Sequence, residues 1–343
     1  MRYKLLGNSG LRVSQLCLGT MTFGEDWGWG SSDSQSRRIF DLYAEAGGNF
    51  IDTANLYTNG SSEKLVGEFI GNDRSYWVLA TKYTFALGKP HVNASGNGRK
   101  NLIQSVEASL KRLQTDYIDL LWLHGWDGLT PTEEVMRALD DLVKMGKVLY
   151  IGVSDTPAWV ISSANTLTTL RGWTPFIGLQ IEYSLKERTP ERDLLPMARA
   201  FNIGVTAWSP LGAGVLTGKY NQPTPVEGRL SKPDLPYQIS HQDLKIADMV
   251  VNIAHEIGRS PAQVALNWLL QQSGGIIPII GARREAQFQD NLGCLDFSLS
   301  GEHLNKLNDV SAITLGFPHD FLSSQMVQDF AFGGVHKLID RSC

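Results

Sequence analysis

Four side chains of complementary proton chemistry stand at or near the ends of short apolar runs. Asp52 ends NFID, Tyr57 follows five residues later in DTANLY, Lys82 closes VLATK and His124 closes LLWLH. A carboxylate, a phenol, an ammonium and an imidazole gathered in one place can hold, donate and orient a proton. Each alone has an ordinary structural use, as a helix cap, a rim charge or a hydrogen-bonded core group. Their joint appearance on successive runs is what points to a site. Polar or amphipathic residues also close the later runs: Ser154, Gln180, and Trp208 with Ser209.

The elements that must position them are eight short apolar runs: LCLGT from residue 16, NFIDT from 49, WVLATK from 77, IDLLWLH from 118, VLYIGVS from 148, IGLQI from 177, GVTAWS from 204 and IIPIIG from 276. Six of the seven start-to-start intervals lie between 27 and 41 residues, and the last is 72. A strand, a crossover helix and two loops take about 30 residues or somewhat more, so the shorter intervals each suit one βαβ step. Near-continuous apolar runs belong to strands buried on both faces. Eight in series predict an α/β fold, a single (β/α)8 TIM barrel spanning residues 1–343. Its active face is the C-terminal end of the strands, where the polar residues stand. After the fourth run, Thr130 suits a helix cap, Pro131 the first helical position and Gly146 the C′ position. SPAQ at Ser260 reads as a capping box with Pro261 at N1.

Three segments fall outside the repeat. Residues 1–15, with a GNSG turn, predict a hairpin closing one end of the barrel. Residues 211–259 read as a long loop region, Pro-rich in NQPTPVEGRLSKPDLPY, and residues 312–343 as an aromatic tail folding back over the barrel. The rival doubly wound fold wants GxGxxG after its first strand, whereas LCLGT is followed by MTFGEDWGWGSS. GAGVLTGKY has the wrong glycine spacing for a Walker A loop, and Tyr220 stands where Ser or Thr would bind metal.

Composition narrows the function classes. Hydrophobic residues are 42% and charged residues 19%, as in a folded globular chain. A net charge of -4 argues against nucleic acid as a partner. No apolar run approaches the roughly 20 residues of a membrane helix, and MRYKLLGNSG is too polar for a signal-peptide core, so the expected compartment is the cytoplasm. Cys17, Cys294 and Cys343 lack metal-ligand spacing and read as free thiols.

Taken in order, LCLGTMTFG, DTANLYTNGSSEKLVGEF, VLATK, YIDLLWLH, GKVLYIGVSD, LQIEYS, AWSPLGAGVLTGKY and PIIGARREAQFQDNL resemble the aldo-keto reductase superfamily along essentially the whole chain. The resemblance implies a barrel that binds a nicotinamide cofactor, usually NADPH/NADP+, in extended form, and a catalytic tetrad of Asp52, Tyr57, Lys82 and His124. Reducing a carbonyl needs a hydride on carbon and a proton on the developing alkoxide. Tyr57 would donate the proton, Lys82 would stabilise its phenolate, Asp52 would hold Lys82, and neutral His124 would orient the carbonyl. Gly19, Thr20, Met21 and Asp52 would line the nicotinamide side, Ser154 and Gln180 would bond its carboxamide, and Trp208 would stack on its ring. Ser209, Pro210, Leu211, Gly212 and Gly214 would embrace the pyrophosphate, with Lys219 and Arg229 closing over it. Gly281, Arg283, Gln287, Asp290 and Asn291 match the segment that takes the adenosine and its 2′-phosphate. The chain departs from many members at Asp155, where they carry Asn or Arg.

Phe23, Trp27, Trp29, Tyr83, Phe85 and Trp126 surround these residues in sequence and predict an apolar substrate pocket suited to aromatic or multi-ring carbonyl compounds. Trp122 shares the inward parity of His124 and suits the barrel interior. Two alternatives stand beside the reductase. One is a cofactor-binding regulatory subunit resembling the potassium-channel β-subunits, which generally lack the histidine that His124 supplies. The other, a metal-dependent hydrolase, needs several His and carboxylate ligands at strand ends, and only His124 is so placed. The oligomeric state is not legible.

Overall fold

Successive side chains of a strand point to opposite faces, so a run that is apolar throughout must find cover on both sides. The structure, a computed structural model, describes residues 1–88, 91–221 and 239–340. After the antiparallel pair β1 (Tyr3–Leu5) and β2 (Arg12–Ser14), the eight expected runs form β3 (Cys17–Gly19), β4 (Phe50–Asp52), β5 (Val78–Tyr83), β6 (Ile118–Leu123), β7 (Val148–Ser154), β8 (Phe176–Glu182), β9 (Gly204–Trp208) and β10 (Ile277–Ile280). They close in the order β10-β3-β4-β5-β6-β7-β8-β9, every neighbouring pair parallel. The predicted (β/α)8 barrel is the observed fold.

The core lies in two shells. Cys17, Phe50, Val78, Ala80, Leu120, Trp122, Ile277 and Ile279 fill the barrel together with Leu6 and Val13. Their strand neighbours Leu121, Leu123, Ile151, Val153, Leu179 and Val205 face the helices instead. Trp122 is wholly buried, and it fits because β7 and β8 offer glycine opposite it. A Cβ on Gly152 would stand 2.4 Å from the indole, and one on Gly178 would stand 2.8 Å from it. The β1–β2 hairpin stops the N-terminal end: Leu6 is fully buried, and Gly7, at φ +56, lies so close to the starts of β8 and β9 that a Cβ would meet the Ile177 carbonyl at 2.2 Å. The barrel therefore opens at its other end, where the candidate residues are.

Helices α1 (Asp33–Glu45), α2 (Ser61–Ile70), α3 (Arg99–Leu113), α4 (Thr132–Lys144), α5 (Ala158–Arg171) and α6 (Leu194–Ala200) occupy the crossovers up to β9. The start of α4 differs from expectation by one position. Pro131 is the N-cap, and the Thr130 hydroxyl donates to Asp127 (2.7 Å), which also accepts the amides of Leu129 and Thr130. Gly146, at φ +71, follows the C-cap as expected. Residues 211–259, expected as a loop region, contain α7 (His241–Glu256), whose Ile246, Ala247, Val250, Ile253 and Ala254 recur at helical spacing and are buried. α8 (Pro261–Leu270) begins with the predicted capping box, Ser260 with Gln263. α9 (Glu285–Leu292) and α10 (Gly301–Val310) follow β10. The tail forms α11 (His319–Ser323) and α12 (Gln325–Phe332). In it Phe317, Phe321 and Phe330 are exposed, Phe317 and Phe321 pack on each other at 6.1 Å, and Arg192 holds the tail's start by bonding the Thr314 carbonyl at 2.9 Å. Among the described residues no helix is long and apolar enough to cross a membrane.

Candidate active site

Inward parity delivers three of the four tetrad residues. Asp52 ends β4 beside Phe50, Lys82 follows Ala80 in β5, and His124 lies two residues beyond Trp122 at the exit of β6. Lys82 is buried, and its Nζ donates to the Asp52 carboxylate, to the Thr53 carbonyl (2.8 Å) and to the Tyr57 oxygen (3.2 Å). All three ammonium donors are thus engaged. The second Asp52 oxygen accepts from Gln180 Nε2 at 2.9 Å, so β4, β5 and β8 are tied together at the mouth. Tyr57 arrives from a 3-10 turn, Tyr57–Gly60, in which Thr58, Asn59 and Gly60 all have positive φ. Such backbone costs about 1 kcal/mol or more per non-glycine residue and needs anchoring. Thr58 supplies the anchor, donating to the Phe23 carbonyl (2.6 Å) and accepting the Ser62 amide (3.0 Å).

The electrostatics suit a neutral acid beside a neutral imidazole. Burial raises the Tyr57 phenol above its ordinary value, and the Lys82 ammonium pulls it back. Burial acts to lower Lys82, but Asp52 and Tyr57 more than offset it, so the ammonium is held charged. Burial, then the Lys82 charge, pushes His124 well below its usual range, so its imidazole is neutral near pH 7. The His124 ring lies 6.0 Å from the Tyr57 ring at 82°, and its buried Nδ1 has no hydrogen-bond partner among the described residues.

The residues expected to hold a cofactor form an arc across the same mouth. Ser154 and Gln180 pair in register at the ends of β7 and β8, and Trp208 ends β9, paired with Glu182. Past Trp208 the chain runs through Ser209, Pro210 and Leu211 into a turn where Ser209, Gly212, Ala213 and Gly214 have φ between +53 and +91. A Cβ on Gly214 would stand 2.8 Å from Lys219 Nζ, so the glycine lets the ammonium lie against the turn. Gly19 and Gly281 bring β3 and the exit of β10 together, a Cβ on Gly281 reaching the Gly19 carbonyl at 3.0 Å. Met21 is half-buried at that rim, and Arg283 and Gln287 are exposed beyond it, the Arg283 amide donating to Gln287 Oε1 at 3.3 Å. A flat aromatic, amide and hydroxyl groups, a glycine turn with an ammonium and an exposed guanidinium are the donor set that a dinucleotide phosphate ester requires.

Two residues of that set, Thr20 and Asp290, have side-chain bonds to the scaffold, and a third, Asn291, is buried. Thr20 is buried, its hydroxyl bonded to the Asp52 carbonyl and Ser62. The Asp290 carboxylate accepts from Ser260 Oγ (2.7 Å) and Gln263 Nε2 (3.0 Å), which secures the cap of α8. Asn291 is buried within α9. Arg229 lies outside the described residues.

The six aromatics divide by direction. Trp27 and Trp29 pack together at 5.6 Å, Trp27 meets Tyr57 edge-on at 6.4 Å, and Phe85 lies 4.7 Å from His124. These three flank the tetrad. Phe23, Tyr83 and Trp126 do not, which corrects the expectation. Tyr83 neighbours Lys82 in β5 and so faces outward, with Leu102 and Val106 of α3 in its cluster. Phe23 packs with Phe69 of α2 at 6.2 Å. Trp126 lines a small void with Val135, Met136 and Val160 between α4 and α5. Two contacts at the mouth lay beyond reach of the sequence: the Gln180–Asp52 bond, and the Trp208 indole donating to Asp155 at 3.1 Å. A side-chain bond between residues so far apart in sequence leaves no local signal.

Comparison with known proteins identifies the family of the chain. Residues 15–312 match the profile of the Aldo/keto reductase family. The chain is 38% identical to a norsolorinic acid reductase of Aspergillus flavus over 336 residues, 95% of this chain and 85% of that protein. It is 37% identical to an aryl-alcohol dehydrogenase [NADP(+)] of Phanerodontia chrysosporium, covering 92% of this chain and 87% of that protein, and 39% identical to the aldo-keto reductase ausK of Aspergillus calidoustus, covering 94% and 85%. With the barrel, the mouth and these relatives in agreement, the chain belongs to the aldo/keto reductase family, a family of oxidoreductases.

Proposed function

We propose that this protein interconverts aldehydes or ketones and alcohols with NADPH/NADP+, Tyr57 being the proton donor. The observation that carries the reading is the Lys82 ammonium, paired with Asp52 and donating to the Tyr57 oxygen at 3.2 Å. When bound, the cofactor supplies or accepts the hydride. In reduction, oxygen negative charge develops as carbon gains its hydrogen, and Tyr57 meets that charge with its proton. The phenolate left behind faces Lys82, whose charge lowers the cost of giving the proton up. Asp52 and the Thr53 carbonyl fix the ammonium so that it does not reorient during the step. His124, neutral, has a ring N–H to aim at the carbonyl oxygen and set the reacting face. Ser154, Gln180 and Trp208 would hold the nicotinamide, the turn 209–214 with Lys219 the pyrophosphate, and Arg283 the 2′-phosphate.

Trp27, Trp29 and Phe85 support an aromatic or multi-ring substrate, since flat apolar walls with a few polar groups bury ring systems. The names of the aryl-alcohol and norsolorinic acid relatives point the same way. Purified protein with NADPH should reduce a bulky aromatic aldehyde with higher kcat/KM than glyceraldehyde phosphate, and the reverse order would overturn the substrate reading. Tyr57→Phe should lower turnover by about 10²-fold or more while NADPH still binds. Turnover unchanged in that variant would refute the assignment of the acid.

A further inference from the structure

Asp155 is the acidic residue at the mouth that the proton chemistry leaves unused. It follows Ser154 directly, at φ +42, a left-handed conformation that an L-residue adopts only at a cost. Its carboxylate accepts the Trp208 indole N–H at 3.1 Å, and the Trp126 amide donates to its backbone carbonyl. Among the described residues no Lys, Arg or His forms an ion pair with it. The charged groups near it are the Lys82 ammonium, already paired with Asp52, and Glu182 on β8. Asp155, Glu182 and Trp208, with Thr156, Pro157 and Ile181, line a cavity of about 390 Å³. A carboxylate with no ion-pair partner of its own among the described residues therefore sits at the edge of the aromatic ring on which the nicotinamide would stack.

We propose that Asp155 makes this site favour the oxidised, cationic nicotinamide over the neutral reduced one, and so poises the bound cofactor towards giving up hydride, the direction of carbonyl reduction. The inference rests on the cofactor reading above. A nicotinamide ring carries a positive charge only when oxidised, so a nearby carboxylate discriminates between the two forms where an amide of equal size would not. In the favoured direction the carbonyl carbon is reduced, the hydride with its two electrons coming from the reduced nicotinamide when that is bound. The Tyr57 phenol gives its proton to the developing alkoxide, the phenolate left behind faces Lys82, and a proton from solvent restores the phenol, so atoms and charges balance. The overall equilibrium is unchanged; the equilibrium on the protein shifts. Asp155 is also a positioning residue, because its bond to the indole fixes the tilt of Trp208.

The test is titration of NADP+ and of NADPH into the full-length protein at pH 8, read by quenching of tryptophan fluorescence and by calorimetry, for the natural chain and for Asp155→Asn. Asparagine tolerates the left-handed backbone and keeps an acceptor for the indole. For a carboxylate in contact range of the ring, Coulomb's law between protein and water dielectrics gives about a tenfold preference. Asp155→Asn should therefore raise Kd(NADP+)/Kd(NADPH) about tenfold, and Asp155→Ala should move the ratio in the same direction. An unchanged ratio in Asp155→Asn, or equal weakening of both forms, would overturn the inference while leaving the cofactor reading intact. Failure of the natural chain to bind either form would instead overturn the cofactor reading.

Discussion

Replacing Lys82 with methionine separates the two things that its ammonium does. The substitution keeps the length of the side chain and removes all three donors, those to Asp52, the Thr53 carbonyl and Tyr57. Asp52 then remains buried with only the Gln180 bond, an uncompensated charge whose cost is about 3–5 kcal/mol. At roughly 2 °C per kcal/mol for a chain of this size, the melting temperature should fall by about 6–10 °C. Independently, the phenolate loses a charged hydrogen bond worth about 1.5–3 kcal/mol, which slows proton delivery by about 10- to 150-fold. The two effects part in the double variant Asp52→Asn/Lys82→Met. With no buried charge left unpaired, most of the melting temperature should return, while turnover stays low. Thermal unfolding by circular dichroism gives the first quantity, and single-turnover reduction of an aromatic aldehyde, read from nicotinamide absorbance, gives the second. Turnover that recovers together with the melting temperature would refute the catalytic role of Lys82 and leave it a structural counter-ion to Asp52.

Further outcomes follow from other parts of the barrel. Arg283→Ala should weaken NADPH by about tenfold or more and leave NADH nearly unaffected, because only the 2′-phosphate loses a charge-assisted bond; equal losses in the two titrations would sink that role. His124 is held well below its usual 6.5, so the unfolded chain takes up the proton first as pH drops. Stability from the neutral imidazole is thus complete above about pH 6.5 and is lost as pH falls below it, by about 1.4 kcal/mol per pH unit. Urea unfolding should show that slope in the natural chain, relative to His124→Gln, and parallel pH profiles for the two would contradict it. Gly152→Ala would set a Cβ 2.4 Å from the Trp122 ring and should cost about 1–3 kcal/mol, part of which Trp122→Phe should restore in the double variant.

The architecture was legible because eight runs of strand character recur at nearly regular spacing, and the capping box at Ser260 was legible because both of its partners lie within four residues. Helix α7 escaped because the Pro-rich stretch before it dominates the local composition, although its apolar residues keep helical spacing. The tetrad followed from strand ends and from the family resemblance. The aromatic pocket was half legible: nearness to Lys82 or His124 in sequence says nothing of direction, and Tyr83, one step past Lys82, must face the opposite way. The bonds of Asp290 were not legible for a related reason: its partners Ser260 and Gln263 lie about 30 residues away, and only the folded chain brings them into contact.

That one-residue alternation between Lys82 and Tyr83 has a bearing on how such a protein can change through descent. Within β5, the proposed proton chemistry and cohesion with the helices sit on adjacent residues, so inserting or deleting a single residue would exchange them and forfeit both at once. Beyond the strand ends no such coupling holds. Trp27, Trp29 and Phe85 belong to connecting segments that can lengthen, shorten or be replaced without disturbing the register of Asp52, Lys82 and His124. Inheritance can therefore rewrite what enters the mouth in large steps, while what happens to it there is altered only by point substitution.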